Sequence, residues 1–309
     1  VVLAPPLDDG AADGLLGERQ DAQLIRRAQA GAGLVLSAPV AVSAVGRITS
    51  GCAGLYRPEH AEAWARLVEQ VHTTSQAKIA LQFAHAGRRG ATRPRTRGLD
   101  LPLREGAWPL LAPSAAPFME GSHMPKEMDC ADLECVHDEF VVAAGLATQA
   151  GFDMLLLNMT HGYLLSSFLS PLTNRREDTY GGSLEQRMRF PLEVFDAVRA
   201  AWPAERPLAV ALNADDCAPS GLELDDAVTI ARLLKQHGCD LVAAYAGQTT
   251  IRSQPSYDAG ALAQYSDVLR NEAYIPTVAT GYMTTSDQVN TLLAGGRADL
   301  CLFHPQNLE

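Results

Sequence analysis

Four polar residues follow directly after a run of apolar residues in the middle of the chain. They are Asn158, Thr160, His161 and Tyr163, and the run before them is Met154-Leu-Leu-Leu157. The run is typical of a buried strand, so the polar residues fall where that strand ends and its loop begins. In a parallel α/β barrel this edge is where chemistry takes place, and amide, imidazole and phenol groups there could hold an oxygen or move a proton. The alternative is a hydrogen-bonded polar cluster at a strand end.

Short apolar runs alternate with helix-period segments along almost the whole chain. Eight runs are candidate strands: Val1–Pro6, Gly33–Val42, Lys78–Ala84, Met154–Asn158, Leu208–Ala214, Asp240–Ala246, Pro276–Gly281 and Asp299–Phe303. Helical patterns lie between them, near 16–30, 58–76, 131–150, 183–201, 223–237, 260–272 and 285–295. This alternation predicts an α/β fold of the (β/α)8 TIM-barrel type, for which about 250 residues are typical. A doubly wound open sheet is the competing fold, and it is disfavoured because no G-x-G-x-x-G follows any strand.

The sequence predicts one barrel domain over residues 1–309 with a long loop insertion at 88–125. The last strand candidate ends a few residues before Glu309, so we expect the helix that would close the barrel to be missing from this chain. A connection as long as the insertion is usually a lid or a binding segment.

The insertion is rich in arginine, and residues 88–97 alone contain five. Three of them, Arg93, Arg95 and Arg97, could clamp the phosphates of a coenzyme A thioester, since a guanidinium group binds phosphate in a bidentate manner. The alternative is a mobile loop in which these side chains are solvated.

Composition narrows the classes of function. The net charge of −11 disfavours a nucleic-acid or anionic-membrane surface, and no stretch approaches 18 consecutive apolar residues. The 6 cysteines contain no C-x-x-C pair, so neither a zinc nor an iron–sulfur site is expected, and no other metal is. Scattered thiols in a chain of this size predict a cytoplasmic protein with reduced cysteines.

The segment His161–Ser183 contains a long motif, HGYL-x-x-x-FLSPL-x-NxRxDxYGGS. This motif resembles the old yellow enzyme family of flavin-dependent ene-reductases. The wording of LLSSFLSPLTNRRED and SDQVNTLLAGGRADLC is most similar to the reductase half of bifunctional enzymes of the salicylyl-CoA or 2-aminobenzoyl-CoA type, in which a flavin monooxygenase half comes first. Shorter matches to the family are Gly46–Thr49, Leu81–Arg88, Ala112–Ser114, Ala150–Asp153 and Gly296–Leu300.

The resemblance implies FMN at the mouth of the barrel and NAD(P)H as its reductant. In the family, hydride passes from reduced flavin to the β-carbon of an activated alkene, and a tyrosine protonates the α-carbon. Tyr163 matches that proton donor, and Asn158 and His161 match the pair that holds the carbonyl oxygen. Donors at this oxygen would stabilise the enolate-like charge that develops as hydride arrives. The implied reaction is reduction of an enone or of an aryl-CoA-derived thioester.

Further positions match the family's flavin-binding residues. Gln82 matches a residue that reaches the flavin pyrimidine, and Pro39 matches a small residue that lines the ring. The segment under the flavin matches Pro5, Pro6 and Leu7, and the phosphate cradle matches Gly281 and Tyr282.

Two arginines of the family are replaced in this chain. The one near the flavin N1 edge falls on Ala211, and the one that binds the phosphate falls on Pro305, beside His304. A charge-assisted contact contributes about 1.5–3 kcal/mol, so two losses would weaken FMN binding by roughly 100- to 10,000-fold. His304 could replace part of the lost charge if it is protonated. We therefore expect a weakened FMN site.

Two rival interpretations remain. One is a barrel that has lost redox chemistry and serves as a binding or scaffolding domain for an acyl-CoA or a monooxygenase partner, which the two missing arginines favour. The other is a lyase or aldolase, which has little behind it because Lys78, Lys126 and Lys235 are the lysines of the chain and one of them starts a strand. If the protein is an enzyme, as the resemblance implies, we expect a small-molecule substrate. The sequence leaves open whether the protein forms a homo-oligomer.

Overall fold

Eight parallel strands close into one barrel in this structure, a computed structural model that describes residues 1–304. In order around the barrel they are β1 (Val2–Leu3), β2 (Leu34–Ala41), β3 (Lys78–Ala84), β6 (Met154–Met159), β7 (Leu208–Asn213), β8 (Leu241–Tyr245), β9 (Thr277–Met283) and β10 (Leu300–Phe303). A separate two-stranded sheet consists of β4 (Leu111–Ala112) and β5 (Lys126–Glu127). Because β10 pairs with β1, the barrel is closed, and the predicted (β/α)8 fold is confirmed.

The strands lie where the apolar runs predicted them. Every residue of β6 and β7 is buried, as expected for parallel strands whose two faces are both covered. The first strand is the main difference, because it ends at Leu3 rather than at Pro6. Pro5 and Pro6 have no N–H to donate to a neighbouring strand, so the chain leaves the ladder before them.

Seven helices follow barrel strands and cover the outside of the sheet. They are α1 (Glu18–Gln29), α2 (Pro58–Thr74), α3 (Cys130–Ala150), α5 (Leu184–Ala201), α6 (Leu224–Gln236), α7 (Ala263–Glu272) and α8 (Ser286–Ala294). The predicted start of α5 is confirmed, since the Ser183 hydroxyl accepts a hydrogen bond from the Gln186 N–H at 3.3 Å. A short buried helix that the sequence analysis did not predict, α4 (Leu164–Leu169), lies in the loop after β6. A helix after β10 would fall outside the described residues.

Two layers of apolar side chains form the core. Large side chains such as Trp64 and Phe140 fill the space between the strands and the helices. Smaller ones fill the base of the barrel interior, where Ala80, Ala209 and Ala211 pack together. The barrel is therefore a packed core rather than a pore, as this fold requires.

The insertion at 88–125 is more ordered than a solvated loop. It contains a 3₁₀ helix, Arg95–Arg97, and the strand β4, and another 3₁₀ helix, Gly87–Arg89, lies at its start. Arg88 and Arg89 are only 4% and 6% exposed, because their guanidinium groups donate to carbonyl oxygens of other loops. The interpretation of a mobile, solvated segment is therefore wrong for these two arginines.

Three features of the described residues bear on the broad class of the protein. No helix within residues 1–304 is long and apolar enough to cross a membrane. Over the same range, no group of three His, Cys, Asp or Glu side chains is arranged to hold a metal ion. The cysteines, all of which lie in this range, are free thiols.

One buried carboxylate joins the loops that follow β6, β7 and β8. Asp216 is 1% exposed and accepts hydrogen bonds from the Ser170 hydroxyl at 2.5 Å, the Leu222 N–H at 2.8 Å and the Asn213 amide at 3.1 Å. The Thr249 hydroxyl is a further donor to the same carboxylate. A buried charge with this many donors holds three loops at fixed positions above the barrel.

Replacing Asp216 with alanine should destabilise the protein by roughly 3–5 kcal/mol, since several buried donors would lose their acceptor. Urea unfolding should show a lower midpoint at an unchanged slope. Glu205→Ala, at an exposed position, is the control and should leave the free energy of unfolding within about 0.5 kcal/mol of wild type. Equal midpoints for the two variants would contradict this role of Asp216.

Candidate active site

A cavity of about 500 Å³ opens at the carboxyl ends of the barrel strands. Active sites of this fold lie at this end, and the volume is in the range of cofactor and substrate pockets. None of the three lysines lines it. The wall contains most of the residues singled out from the sequence: Pro5, Pro6, Leu7, Pro39, Gln82, Arg95, His161, Tyr163, Gly281, Tyr282 and His304.

Asn158 lies beneath the wall rather than on it. It is 2% exposed, and its side-chain nitrogen Nδ2 donates to the side-chain oxygen Oε1 of Gln82 at 2.7 Å. Its own carbonyl oxygen accepts the Thr160 N–H at 2.9 Å. Asn158 therefore orients Gln82 and Thr160, and the Gln82 NH2 group makes no hydrogen bond to another residue within 1–304.

His161 is held by the same chain of hydrogen bonds. Thr160 Oγ1 lies 2.5 Å from His161 Nδ1 and 2.8 Å from the Asn158 carbonyl oxygen, so its proton has two acceptors. The backbone of His161 is left-handed, with φ of 59°, and Arg89 Nη1 donates to its carbonyl oxygen at 2.6 Å. Burial and the charges of Arg89 and Arg95 lower the pKa of His161 to about 3. The ring is therefore neutral at physiological pH.

Tyr163 stands beside His161 at the start of α4. It is 5% exposed, its ring centroid lies 6.0 Å from that of His161, and the Arg89 guanidinium carbon lies 5.5 Å from its ring centroid. Burial raises the pKa of Tyr163, while the charges of Arg89 and Arg95 act in the opposite direction. The phenol is protonated at neutral pH and is placed to act as an acid toward the cavity.

Sequence reasoning missed several residues of the wall, among them Tyr245 and Arg89. Tyr245 ends β8, and its ring centroid lies 5.2 Å from that of His161. Its place at the carboxyl end of a barrel strand was the available signal. Arg89 makes a buried ion pair with Asp100 at 2.7 Å and lies 4.2 Å from the ring centroid of Phe118. No local pattern could have indicated these contacts, because Asp100 and Phe118 come later in the insertion.

Gly281 and Tyr282 reach the wall through an irregularity in β9. The register between β9 and β10 shifts there, and residues 280–282 have no partner in β10. Gly281 and Tyr282 have φ of 105° and 49°, and a Cβ on Gly281 would lie 3.2 Å from the side chain of Leu262. The Tyr282 ring stacks on His304, with centroids 6.2 Å apart.

Pro39 creates a second irregularity at the wall. It lies opposite Gln82 between β2 and β3, where the register shifts. The Ser37 hydroxyl accepts the Gln82 N–H at 2.9 Å. A side-chain oxygen thus satisfies a backbone donor at the strand ladder next to the cavity.

Ala211 stands at one of the two positions where the family has an arginine. Ala211 is 1% exposed, pairs with Asn158 in register and packs in the base of the barrel, so it brings no charge to the cavity. Pro305 lies outside the described residues. The guanidinium groups at the wall belong instead to Arg89 and Arg95.

A buried histidine near the site makes stability depend on pH. His85 is 2% exposed, and its Nδ1 accepts the Gly87 N–H at 3.1 Å. Its Nε2 has no hydrogen-bond partner among the described residues. Burial lowers the pKa of His85 to about 4, so the folded protein keeps this ring neutral while the unfolded chain takes up a proton below about pH 6.5.

The free energy of unfolding should therefore fall as pH decreases from 7 toward 4. At pH 5 the contribution of His85 is about 2 kcal/mol. His85→Gln removes this ionisation, so urea unfolding at pH 7 and pH 5 should show a smaller difference for the variant than for wild type. His161 acts in the same direction, so part of the dependence should remain. The same difference in both proteins would contradict a buried neutral His85.

Comparison with known proteins places this site in a family. Residues 8–305 match the NADH:flavin oxidoreductase / NADH oxidase family. The NADPH dehydrogenase of Geobacillus sp. (strain WCH70) is 39% identical over 277 residues, which cover 89% of this chain and 75% of the relative. The NADPH dehydrogenase of Bacillus subtilis (strain 168) is 36% identical over 288 residues, which cover 93% of this chain and 80% of the relative.

Solved structures agree with the fold. Morphinone reductase in complex with tetrahydroNAD has a TM-score of 0.77 and 25% identity, and the match covers 98% of this chain and 82% of that one. A 2-naphthoyl-CoA reductase in complex with 2-naphthoyl-CoA has a TM-score of 0.87 and 24% identity, and this chain spans 47% of its length. The second likeness shows the fold alone.

The family match covers the cavity wall from Leu36 to His304. The family is one of oxidoreductases, with FMN as cofactor and NAD(P)H as reductant. The chain belongs to the NADH:flavin oxidoreductase / NADH oxidase family, the old yellow enzyme family that its central motif resembles.

Proposed function

We propose that the protein reduces the C=C bond of a conjugated carbonyl compound, with Tyr163 as the proton donor. The observation that supports this most is the shared position of Tyr163 and His161 at the cavity, with ring centroids 6.0 Å apart. One group is a buried acid, and the other is a neutral imidazole that can donate to a carbonyl oxygen.

The residues of the cavity fit FMN. The volume is sufficient for a tricyclic ring, and Gln82 has an NH2 group free to meet the polar edge of the ring. Thr280, Gly281 and Tyr282 present backbone outside the β9–β10 ladder, where a phosphate could be held. Reduced FMN, when bound, supplies the hydride.

His161 would hold the carbonyl oxygen of the substrate. If the Thr160 hydroxyl donates its hydrogen bond to Nδ1, the neutral ring carries its own proton on Nε2 and can donate a hydrogen bond from there. A donor at this oxygen stabilises the negative charge that develops there as the alkene is reduced. Asn158, proposed with His161 to hold the oxygen, would act from beneath by fixing Thr160 and Gln82.

Tyr163 would then protonate the α-carbon. Its pKa is raised by burial, so the phenol keeps its proton until charge develops on the substrate. The nearby Arg89 guanidinium offsets part of that effect and stabilises the phenolate that remains after transfer. Arg89 itself is balanced by Asp100.

For the substrate we propose an enone or an aryl-CoA-derived thioester. A thioester is supported by the structurally similar 2-naphthoyl-CoA reductase, whose structure is a complex with 2-naphthoyl-CoA. The arginines of the insertion support it as well, because Arg95 lines the cavity and Arg93 and Arg97 lie two residues to either side of it, with Arg97 exposed. These three remain our proposed clamp for an anionic substrate.

The wider setting is also a proposal. We place the protein in the cytoplasm, since Cys130 and Cys135 are exposed thiols of the kind that persist in reducing compartments. A fused or associated flavin monooxygenase half and a homo-oligomer remain proposals drawn from the sequence motif. We also propose that residues 1–309 form one domain.

The alternative function is a binding or scaffolding domain with little flavin. Two observations favour it: Ala211 brings no charge to the cavity, and the Tyr245 ring occupies space at the wall. The comparisons favour an oxidoreductase instead, because the relatives reported above are NADPH dehydrogenases.

FMN should bind more weakly here than to the Bacillus subtilis relative, because Ala211 and Pro305 supply no cation. Titration of both flavin-free proteins with FMN, followed by flavin fluorescence, should give dissociation constants that differ by roughly 100-fold or more. Equal dissociation constants would contradict the weakened site. Absence of any binding would instead favour the scaffolding alternative.

Tyr163→Phe should separate the two half-reactions. Reduction of bound FMN by NADPH should stay within a factor of two of wild type, because the phenol takes no part in it. Reoxidation by an enone should slow by roughly 100- to 10,000-fold, since the acid is gone. Stopped-flow absorbance of the flavin measures both steps, with Tyr274→Phe as the control at a position 74% exposed. Unchanged reoxidation would remove Tyr163 from the role.

A further inference from the structure

Arg95 is a cation at the cavity wall that no acidic side chain within residues 1–304 neutralises. Its neighbours in the insertion are committed elsewhere. Arg89 is paired with Asp100 at 2.7 Å, and Arg93 donates through Nε to the Pro102 carbonyl at 3.1 Å. Arg95 is thus the charge in this wall that remains available to a ligand.

The backbone around Arg95 is fixed in place. Its N–H donates to Asp9 Oδ2 at 2.8 Å, and Asp9 Oδ1 accepts the Thr49 hydroxyl at 2.5 Å. Asp9 thereby anchors the start of the Arg95–Arg97 helix without forming an ion pair with the Arg95 side chain. A cation whose backbone is held but whose head group is free is organised before a ligand arrives.

The charge of Arg95 reaches the two reacting groups of the site. Arg95, His161 and Tyr163 line the same cavity. The positive charge of Arg95 contributes to the lowered pKa of His161 and opposes the rise that burial causes in the pKa of Tyr163. A neutral ligand in this space would leave the cation unpaired. A ligand with its own anionic oxygens would form charge-assisted hydrogen bonds there.

We propose that Arg95 forms a carboxylate subsite, and that the substrate carries a carboxylate group in addition to its conjugated carbonyl. This inference rests on the proposed function, and it separates Arg95 from the other two arginines of the clamp. The phosphates of coenzyme A are held away from the thioester by the long pantetheine arm, so they would meet exposed side chains such as Arg97. Arg95 meets a group close to the reacting double bond.

Two variants and two substrates test the subsite. Arg95→Met removes the charge at similar length, and Arg104→Met is the control, since Arg104 is an exposed arginine of the same insertion that does not line the cavity and is not part of the proposed clamp. The substrates are 4-oxopent-2-enoate and its methyl ester, in which a neutral ester replaces the carboxylate, and each variant is compared with wild type on the same substrate. For Arg95→Met, kcat/KM should fall roughly 10- to 100-fold with the acid and less than threefold with the ester. Arg104→Met should change neither value.

Binding gives a readout that does not depend on reduction. The saturated analogue 4-oxopentanoate should bind wild type in a calorimetric titration and bind Arg95→Met roughly 10- to 100-fold more weakly. Equal binding by the two proteins, or equal losses with acid and ester, would overturn the subsite. If wild type reduces neither substrate but binds the analogue through Arg95, the proposed reaction fails and the subsite stands.

Discussion

The site depends on one hydrogen bond between two side chains, in which Asn158 Nδ2 donates to Gln82 Oε1 at 2.7 Å. It joins the carboxyl ends of β3 and β6, and it leaves the Gln82 NH2 group for the cavity. The other end of the same amide holds Thr160, which in turn contacts the His161 ring. One buried side chain therefore orients both Gln82, the proposed cofactor contact, and, through Thr160, His161, the proposed substrate contact. Such a network is effective because its members are buried and partnered.

Charge in the cavity is distributed unevenly. His161 and Tyr163 are both uncharged at neutral pH. Burial and the charges of Arg89 and Arg95 lower the pKa of His161, whereas burial raises the pKa of Tyr163 against the effect of the same cations. Arg89 is neutralised by Asp100, whereas Arg95 is not. Among the residues that the structure describes, His161 and Tyr163 are thus neutral, and the unpaired positive charge of Arg95 lines the same cavity. A site of this kind discriminates between ligands by charge as well as by shape.

The sequence predicted the barrel well because each strand is a short apolar run between helix-period segments. The position of His161 and Tyr163 followed from the strand end that precedes them, and the other predicted wall residues followed from the resemblance to the old yellow enzyme family. Two features could not be predicted. Asn158 points into a hydrogen bond with Gln82, a contact between residues far apart in the chain. Arg88 and Arg89 look solvated in sequence, yet tertiary carbonyl acceptors bury them.

The central claim is that FMN lies in this cavity with Tyr163 and His161 facing the same side of its ring. A crystal structure of the protein with FMN bound tests it most directly. We predict that the flavin ring lies over Gln82, with the side-chain nitrogen of Gln82 within hydrogen-bond distance of the polar edge of the flavin. Flavin bound elsewhere, or a cavity closed by Tyr245 with Tyr163 and His161 turned away from the ring, would contradict it.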